Sequence, residues 1–143
     1  MKLLKMEHPQ CLIFSAAMVL GEDPQDLCTE IGHDGLERIW DLPAPRCYRG
    51  HHIQEIQDLF VARGRALYEV ELYPASGHPG QRPCYAYSDE EAERRLVRHL
   101  TGRMGILISP SHAVAWDGKI VFDPNGLNYP IDSFRILTTF ILA

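Results

Sequence analysis

The stretch SHAVAWDGKIVFDPNG, residues 111–126, carries the strongest fold signal in the chain. Asp117 and Gly118 separate two apolar segments, and this dipeptide favours a β-hairpin because both central residues of a type I′ turn need positive φ. A two-residue turn at this point sets a register in which His112 stands directly opposite Asp123. We therefore expect an imidazole and a carboxylate to lie side by side on two antiparallel strands.

The two faces of this predicted hairpin differ in chemistry. Directly opposed residues point to the same face with Cβ atoms about 5 Å apart, so the carboxylate can orient the imidazole and select its tautomer. The hairpin alone leaves two interpretations open, a polar cross-strand pair or part of a catalytic site. Val114 and Trp116 share the face of His112 and would wall such a site. The opposite face would be apolar and suited to a core, with Ala113, Ala115, Ile120 and Phe122.

Cys11 is the candidate nucleophile that such a histidine would serve. It opens the segment CLIFSAAMVL, residues 11–20, which is too apolar for a surface helix and is predicted to be a buried one. Unpaired N–H groups and a positive partial charge at a helix N-terminus stabilise a thiolate and can donate to an oxyanion. The alternative interpretation is that Cys11 is a small buried apolar residue, which is common for free cysteine.

The order of these features along the chain resembles that of the papain-like cysteine peptidases. The matching stretches are PQCLIFSAAMVLG near the N-terminus and SHAVAWDGKIVFDPNG near the C-terminus. The resemblance is closest to the compact branch that processes double-glycine leader peptides of bacteriocins, and to its stand-alone relatives in bacteria and phages. It implies that Cys11 is the nucleophile, His112 the general base and acid, and Asp123 the residue that orients His112.

One position departs from the family pattern. The glutamine that donates to the oxyanion in that family lies about six residues before the cysteine, where this chain has Lys5. Gln10 provides the only nearby side-chain amide, and it either takes the oxyanion role from another direction or caps the helix. Oxyanion stabilisation is often worth about 3 kcal/mol, so its loss would make the enzyme slow or inactive.

The distribution of predicted elements gives the fold class. Helical patterns fill the first half of the chain, and four strand-like segments separated by turn residues fill the second, at 104–109, 112–118, 119–124 and 134–142. We expect an α+β fold in which N-terminal helices pack on a C-terminal antiparallel β-sheet. A length of 143 residues fits one domain, residues 1–143, and the resemblance implies that it is papain-like.

Composition argues against several classes of partner. The net charge of −5 and the absence of any Lys/Arg run disfavour nucleic acid and anionic membranes as partners. The N-terminal apolar run is interrupted by Glu7 and His8, which disfavours a secretion signal. We expect a cytoplasmic protein, or a virion-associated one if it is of phage origin. Its four cysteines lack CxxC spacing and are expected to be reduced: Cys11, Cys28, Cys47 and Cys84.

The remaining histidines do not form a recognisable metal site. His51 and His52 would point about 100° apart on a helix, and no third or fourth ligand lies at zinc-site spacing. His33, Asp34 and Gly35 are predicted to form a turn after a second helix that runs from Pro24 to about Ile31, with a role on the substrate side as the alternative. We therefore expect neither a metal nor another cofactor, and the segments around these histidines are left without a role.

These observations lead to one functional expectation with two alternatives. The first is a cysteine hydrolase that cleaves an amide, peptide or isopeptide bond of a peptide or protein substrate through a thioester acyl-enzyme. The second is a weak or inactive papain-like domain that serves as a binding module or a phage structural module. The third keeps the same residues but transfers the acyl group as transglutaminases and deamidases do.

Overall fold

The computed structural model describes residues 1–71, 75–76, 84–85, 89–131, 136 and 138–143, with only the backbone described at residues 71, 75–76, 84–85, 89–93 and 96. The helices in this part of the chain are α1 (Cys11–Leu20), α2 (Pro24–Ile31), α3 (Ile53–Ala62) and α4 (Asp89–Leu100). Its strands are β1 (Leu67–Glu71), β2 (Ala75–Ser76), β3 (Cys84–Tyr85), β4 (Gly105–Ile108), β5 (Ala113–Trp116), β6 (Val121–Asp123), β7 (Leu127–Tyr129) and β8 (Thr138–Leu142).

The predicted buried helix at residues 11–20 is confirmed as α1. It begins at Cys11 and ends where Gly21 takes a left-handed conformation, φ +76°, and donates its backbone N–H to Ala17 O. A glycine in this conformation ends a helix without steric cost. Ile13 and Ala16 are fully buried within α1, so the helix is a central element of the core.

Most of the described strands belong to one antiparallel sheet. Six strands lie in the order β1-β8-β4-β5-β6-β7, and all neighbouring pairs are antiparallel. Strands β2 and β3 form a separate antiparallel pair. Helix α1 packs against β4, β5 and β6, so the predicted α+β arrangement of helices on an antiparallel sheet is confirmed. Strand β1 precedes α4 in the chain and completes one edge of the sheet beside β8.

Apolar side chains fill both faces of the larger sheet, because successive residues of a strand point to opposite faces. The face that packs with α1 carries the predicted apolar set, Ala113, Ala115 and Phe122, with Ile120 partly buried against it. The other face forms a second core with Leu100 from α4, and it contains Val114, Trp116, Val121, Leu107 and Ile141. Strand β5 is therefore buried on both sides.

The turn between β5 and β6 is longer than predicted. Trp116 pairs with Val121, so residues 117–120 separate the two strands, and the expected two-residue turn is wrong. The physical reason is the Asp117 carboxylate, which accepts a hydrogen bond from the backbone N–H of Ile120 at 2.8 Å. An aspartate that caps its own turn in this way stabilises a wider loop than the dipeptide alone favours.

The longer turn changes which residues stand directly opposite each other. Continuing the register of β5 and β6 places Val114 opposite Asp123, so the predicted direct opposition of His112 and Asp123 is wrong. The displacement amounts to two residues. Because side chains alternate with a period of two, such a displacement leaves His112 and Asp123 on the same face of the hairpin.

The segment before α1 is tied to the chain that follows β6. The backbone N–H of Met6 donates to Pro124 O at 2.8 Å. Helix α1 starts a few residues later and packs on β5, so these contacts fix where its first residue lies. They bring Cys11 to the open end of the hairpin, near His112 and Asp123.

Candidate active site

The imidazole of His112 is bound to the carboxylate of Asp123. His112 Nε2 lies 2.8 Å from Asp123 Oδ1, with the Asp123 side chain almost fully buried and that of His112 about one-fifth exposed. The two residues are diagonal neighbours on one hairpin face, so the carboxylate fixes Nε2 as the protonated nitrogen. Nδ1 is then the ring nitrogen left for another partner.

The thiol of Cys11, the first residue of α1, is a further partner of His112. A side-chain hydrogen bond joins Cys11 and His112, and it is the largest cause that raises the pKa of His112 to about 9. Burial of the ring lowers this pKa, and the hydrogen bond and charge of Asp123 raise it further. Cys11 is partly exposed. The structure thus brings together all three predicted catalytic residues.

Two donors that were not predicted from the sequence hold the Asp123 carboxylate. Tyr129 donates its hydroxyl hydrogen to Asp123 Oδ2 at 2.6 Å, and the backbone N–H of Asn125 donates to Oδ1 at 2.8 Å. Burial raises the pKa of Asp123, but the hydrogen bonds from Tyr129, Asn125 and His112 together bring it below its ordinary value. The carboxylate is therefore kept ionised in a buried position.

Tyr129 could have been found from the sequence by one further step. The residues Asp-Pro-Asn-Gly at 123–126, which begin with the last residue of β6, are typical of a turn, and Asp123 pairs with Leu127 on the far side of it. Counting two residues onward from Leu127 places Tyr129 on the face that carries Asp123. Tyr129 lies one strand beyond the predicted hairpin, and its contact with Asp123 was not predicted.

The candidate oxyanion residue, Gln10, lies at the N-cap of α1 and makes no side-chain capping hydrogen bond to the helix. Its Nε2 instead donates to the backbone carbonyl of Asp34 at 2.8 Å. An amide nitrogen carries two hydrogens, so this contact leaves one of them for another acceptor. The alternative prediction, that the Gln10 side chain caps the helix, is wrong, and its oxyanion role stays a prediction.

Lys5, at the position where the resemblance led us to look for a glutamine, is exposed. Its backbone forms an antiparallel bridge with Asn125. Its side chain lies over Gly126, where an added Cβ would come within 3.2 Å of Lys5 Cδ. Lys5 therefore helps to hold the turn that follows Asp123.

The two residues predicted to wall the site are core residues of the sheet. Val114 is fully buried, and Trp116 is 4% exposed. Trp116 donates its indole N–H to Leu100 O at 2.9 Å, which anchors it on the α4 side of the sheet. When the pairing of β5 with β6 is continued by one residue pair, Val114 stands opposite Asp123 and supports that residue from within the core. Direct walling of a substrate cleft by these residues stays a prediction.

The segments around the other histidines form a second polar cluster. His33 Nε2 lies 2.8 Å from Glu55 Oε1, and the rings of His33 and His51 stack with centroids 5.0 Å apart. The ring of His51 also packs against Gly35, which has a positive φ of +76°. This cluster fixes the loop whose Asp34 carbonyl receives the amide of Gln10. The predicted turn is therefore tied to the beginning of α1.

Comparisons with known proteins add no relative. No protein family, curated protein or solved structure matches this chain. Among the described residues, no group of three or more His, Cys, Asp or Glu side chains is arranged to hold a metal ion. In the same part of the chain, every helix is too short or too polar to cross a membrane.

Proposed function

We propose that the chain is a papain-like cysteine hydrolase that cleaves an amide or isopeptide bond by acyl transfer. The observation that carries the proposal is the continuous contact from Cys11 through His112 to Asp123. A nucleophile, a base within hydrogen-bonding reach and a carboxylate that orients the base together make up the arrangement that activated thiol enzymes use. The chain order of the three residues, which matches the family, supports the papain-like assignment.

The reaction follows from the roles of these residues. Cys11 transfers its proton to His112, and the thiolate attacks the carbonyl carbon to form a tetrahedral oxyanion. The C–N bond then breaks, and His112 gives its proton to the leaving amine, which leaves a thioester on Cys11. Water attacks the thioester, again with His112 as base, and the acid product and the free thiol are released. Asp123 keeps its charge throughout and stabilises the imidazolium.

Donors for the oxyanion are available at the beginning of α1. The first backbone N–H groups of a helix have no partner within it, and Cys11 is the first residue of α1. The second amide hydrogen of Gln10 is a further candidate donor. Together they would replace the upstream glutamine that the family uses and this chain lacks.

The test measures the reactivity of Cys11 with iodoacetamide, followed by mass spectrometry at that residue. At pH 6.5 we expect the His112→Ala variant to react at least about tenfold more slowly than wild type, because an isolated thiol is mostly protonated there. His8→Ala is the matched control, since it removes an exposed histidine from the segment just before Cys11. Equal rates in wild type and His112→Ala would contradict the proposal.

Turnover is tested with p-nitrophenyl acetate as an acyl donor. We expect wild type to release a burst of p-nitrophenolate as Cys11 is acylated, and the Cys11→Ala and His112→Ala variants to acylate about 100-fold more slowly or not at all.

The exposed Lys5 at the family's glutamine position favours the second candidate, an inactive binding domain. A reactive Cys11 that forms no acyl-enzyme would support that candidate. Transfer of the acyl group to an added amine in preference to water would support the transglutaminase type of reaction.

A further inference from the structure

The Asp123 carboxylate is held by both of its oxygens. Oδ1 accepts hydrogen bonds from His112 Nε2 and from the backbone N–H of Asn125, each at 2.8 Å. Oδ2 accepts the hydroxyl hydrogen of Tyr129 at 2.6 Å. Asp123 is 5% exposed, so water has little access to the carboxylate. Tyr129 therefore provides the side-chain contact that holds the oxygen facing away from His112.

The position of Tyr129 is set by backbone pairing and not by a mobile loop. Strand β7 pairs with β6, and Tyr129 stands opposite Val121, with Leu127 opposite Asp123. Residues 121, 123, 127 and 129 share one face of these two strands, so Tyr129 is a diagonal neighbour of Asp123. A tyrosine at this position is long enough to reach the carboxylate, and only two rotatable bonds connect its ring to the backbone.

Holding both oxygens matters because a carboxylate can otherwise rotate about its terminal bond. If Oδ2 were free, Oδ1 could leave the plane in which it accepts from His112 Nε2, and the imidazole could then turn away from Cys11. The hydroxyl also adds a donor to a buried charge, which offsets part of the cost of removing that charge from water. Both effects act on His112 only through Asp123.

We propose that Tyr129 is a positioning residue for the Cys11, His112 and Asp123 site, where it fixes the Asp123 carboxylate and through it the His112 imidazole. The inference rests on the proposed function, since it assigns a part of the same thiol chemistry to a residue outside the three. Burial and the hydrogen bond to Asp123 also raise the pKa of Tyr129, so its hydroxyl stays a donor over the working pH range.

The test compares Tyr129→Phe with wild type in the rate of Cys11 alkylation by iodoacetamide between pH 5.5 and 10. Phenylalanine keeps the ring and removes only the hydroxyl. Tyr68→Phe is the matched control, because the Tyr68 hydroxyl accepts from Arg103 and makes no contact with Asp123 among the hydrogen bonds of the described residues. Thermal unfolding of each variant checks that it is folded.

We expect Tyr129→Phe to slow alkylation by about three- to tenfold at pH 6–7. The variant loses a hydrogen bond to a charged group, and only part of that loss is transmitted from Asp123 to His112. Above pH 9.5 an ordinary thiol is ionised without help from a base, so the wild-type and variant rates should converge. Tyr68→Phe should match wild type at every pH. This pH-selective loss is a result that a purely structural role would not produce.

Two results would overturn the inference. One is a Tyr129→Phe profile that coincides with wild type, and the other is a loss of equal size at all pH values. His112→Ala separates these outcomes from a failure of the proposed function. If His112→Ala slows Cys11 alkylation and Tyr129→Phe does not, the positioning role alone is wrong. If neither variant has an effect, the thiol and imidazole do not act together and the proposed function fails.

Discussion

Cys11 and His112 share a side-chain hydrogen bond although they lie near opposite ends of the sequence. Two structural features bring them together. The backbone of Met6 is bonded to Pro124, and α1 packs along β5, whose strand follows His112 directly. The contact therefore depends on the whole arrangement of helix and sheet and not on local sequence.

The contact predicts a change in the titration of His112. In wild type the Cys11 hydrogen bond is the largest cause that raises the pKa of His112 to about 9. Cys11→Ala removes this cause and leaves burial, which lowers the pKa, opposed by the hydrogen bond and charge of Asp123. We expect the pKa of His112 to move down toward its ordinary value of about 6.5, as measured by NMR titration of the ring. A titration unchanged by Cys11→Ala would show that the two side chains do not interact in solution.

The same titration has a consequence for stability. A histidine whose pKa is raised in the folded state contributes stability that is fully present below its unfolded pKa of about 6.5. This contribution is lost as the pH rises through about 9, where the folded His112 gives up its proton. We expect His112→Gln to flatten the pH dependence of the free energy of unfolding between pH 6.5 and 9, measured by urea denaturation. A slope equal to that of wild type would contradict the assignment.

The sequence predicted the catalytic candidates because their positions follow from local rules. The start of a predicted helix indicates Cys11. Two apolar segments separated by Asp117 and Gly118 predict the hairpin that carries His112 and Asp123. The error in the turn length did not separate the pair. It moved the register by two residues, and an even displacement keeps both side chains on one face.

The parts that the sequence did not predict depend on contacts between distant segments. The pairing of Met6 with Pro124 and of Lys5 with Asn125 joins two segments that neither hydrophobic period nor turn chemistry links. The hydrogen bond of His33 with Glu55 likewise joins a turn to the first turn of a helix. Such contacts follow from tertiary packing, so a single sequence gives no periodic signal for them.

The packing of His51 on Gly35 predicts an unequal effect of two similar substitutions. Gly35 and Gly64 both have positive φ, +76° and +68°, so alanine is strained by about 1 kcal/mol at either position. At Gly35 the added Cβ would also lie 2.8 Å from two ring atoms of His51, whereas nothing lies within 4 Å at Gly64. We expect Gly35→Ala to cost about 1–3 kcal/mol more than Gly64→Ala in urea denaturation. Equal losses would mean that the His51 ring moves away freely.

Arg63 links α2, α3 and the loop between α1 and α2 through its planar guanidinium. It donates to both carboxylate oxygens of Glu22 at 2.6 Å, to Glu30 at 2.8 Å and to Leu59 O at 2.7 Å. Lysine cannot reproduce this set of contacts, so we expect Arg63→Lys to lower the free energy of unfolding by about 1 kcal/mol, a value kept small by the partial exposure of both glutamates. The comparison is made at low and at 0.5 M salt. A loss that does not shrink with salt would argue against an ionic contribution.

The stability that the Arg63 and Glu22 contact contributes depends on pH. The hydrogen bond from Arg63 is the largest cause that lowers the pKa of Glu22. A carboxylate with a lowered pKa contributes stability above its unfolded value of about 4.3, and this contribution is lost as the pH falls through the folded pKa. We expect the difference in unfolding free energy between wild type and Glu22→Gln to shrink as the pH falls below about 4.3, as measured by urea denaturation. A difference that does not shrink with falling pH would show that packing, and not charge, is responsible.

The histidine cluster predicts a loss of stability on acidification. Burial is the largest cause that lowers the pKa of His51, and the neighbouring His33 lowers it further. The unfolded chain therefore binds a proton at His51 at a higher pH than the folded chain, so stability decreases as the pH falls below about 6.5. His51→Phe keeps an aromatic ring on Gly35 and removes the titration, and we expect it to reduce the loss of unfolding free energy between pH 7 and 5. His8→Phe is the control, because His8 is exposed. If His51→Phe and His8→Phe change the pH profile by the same amount, the cluster does not make folding sensitive to acid.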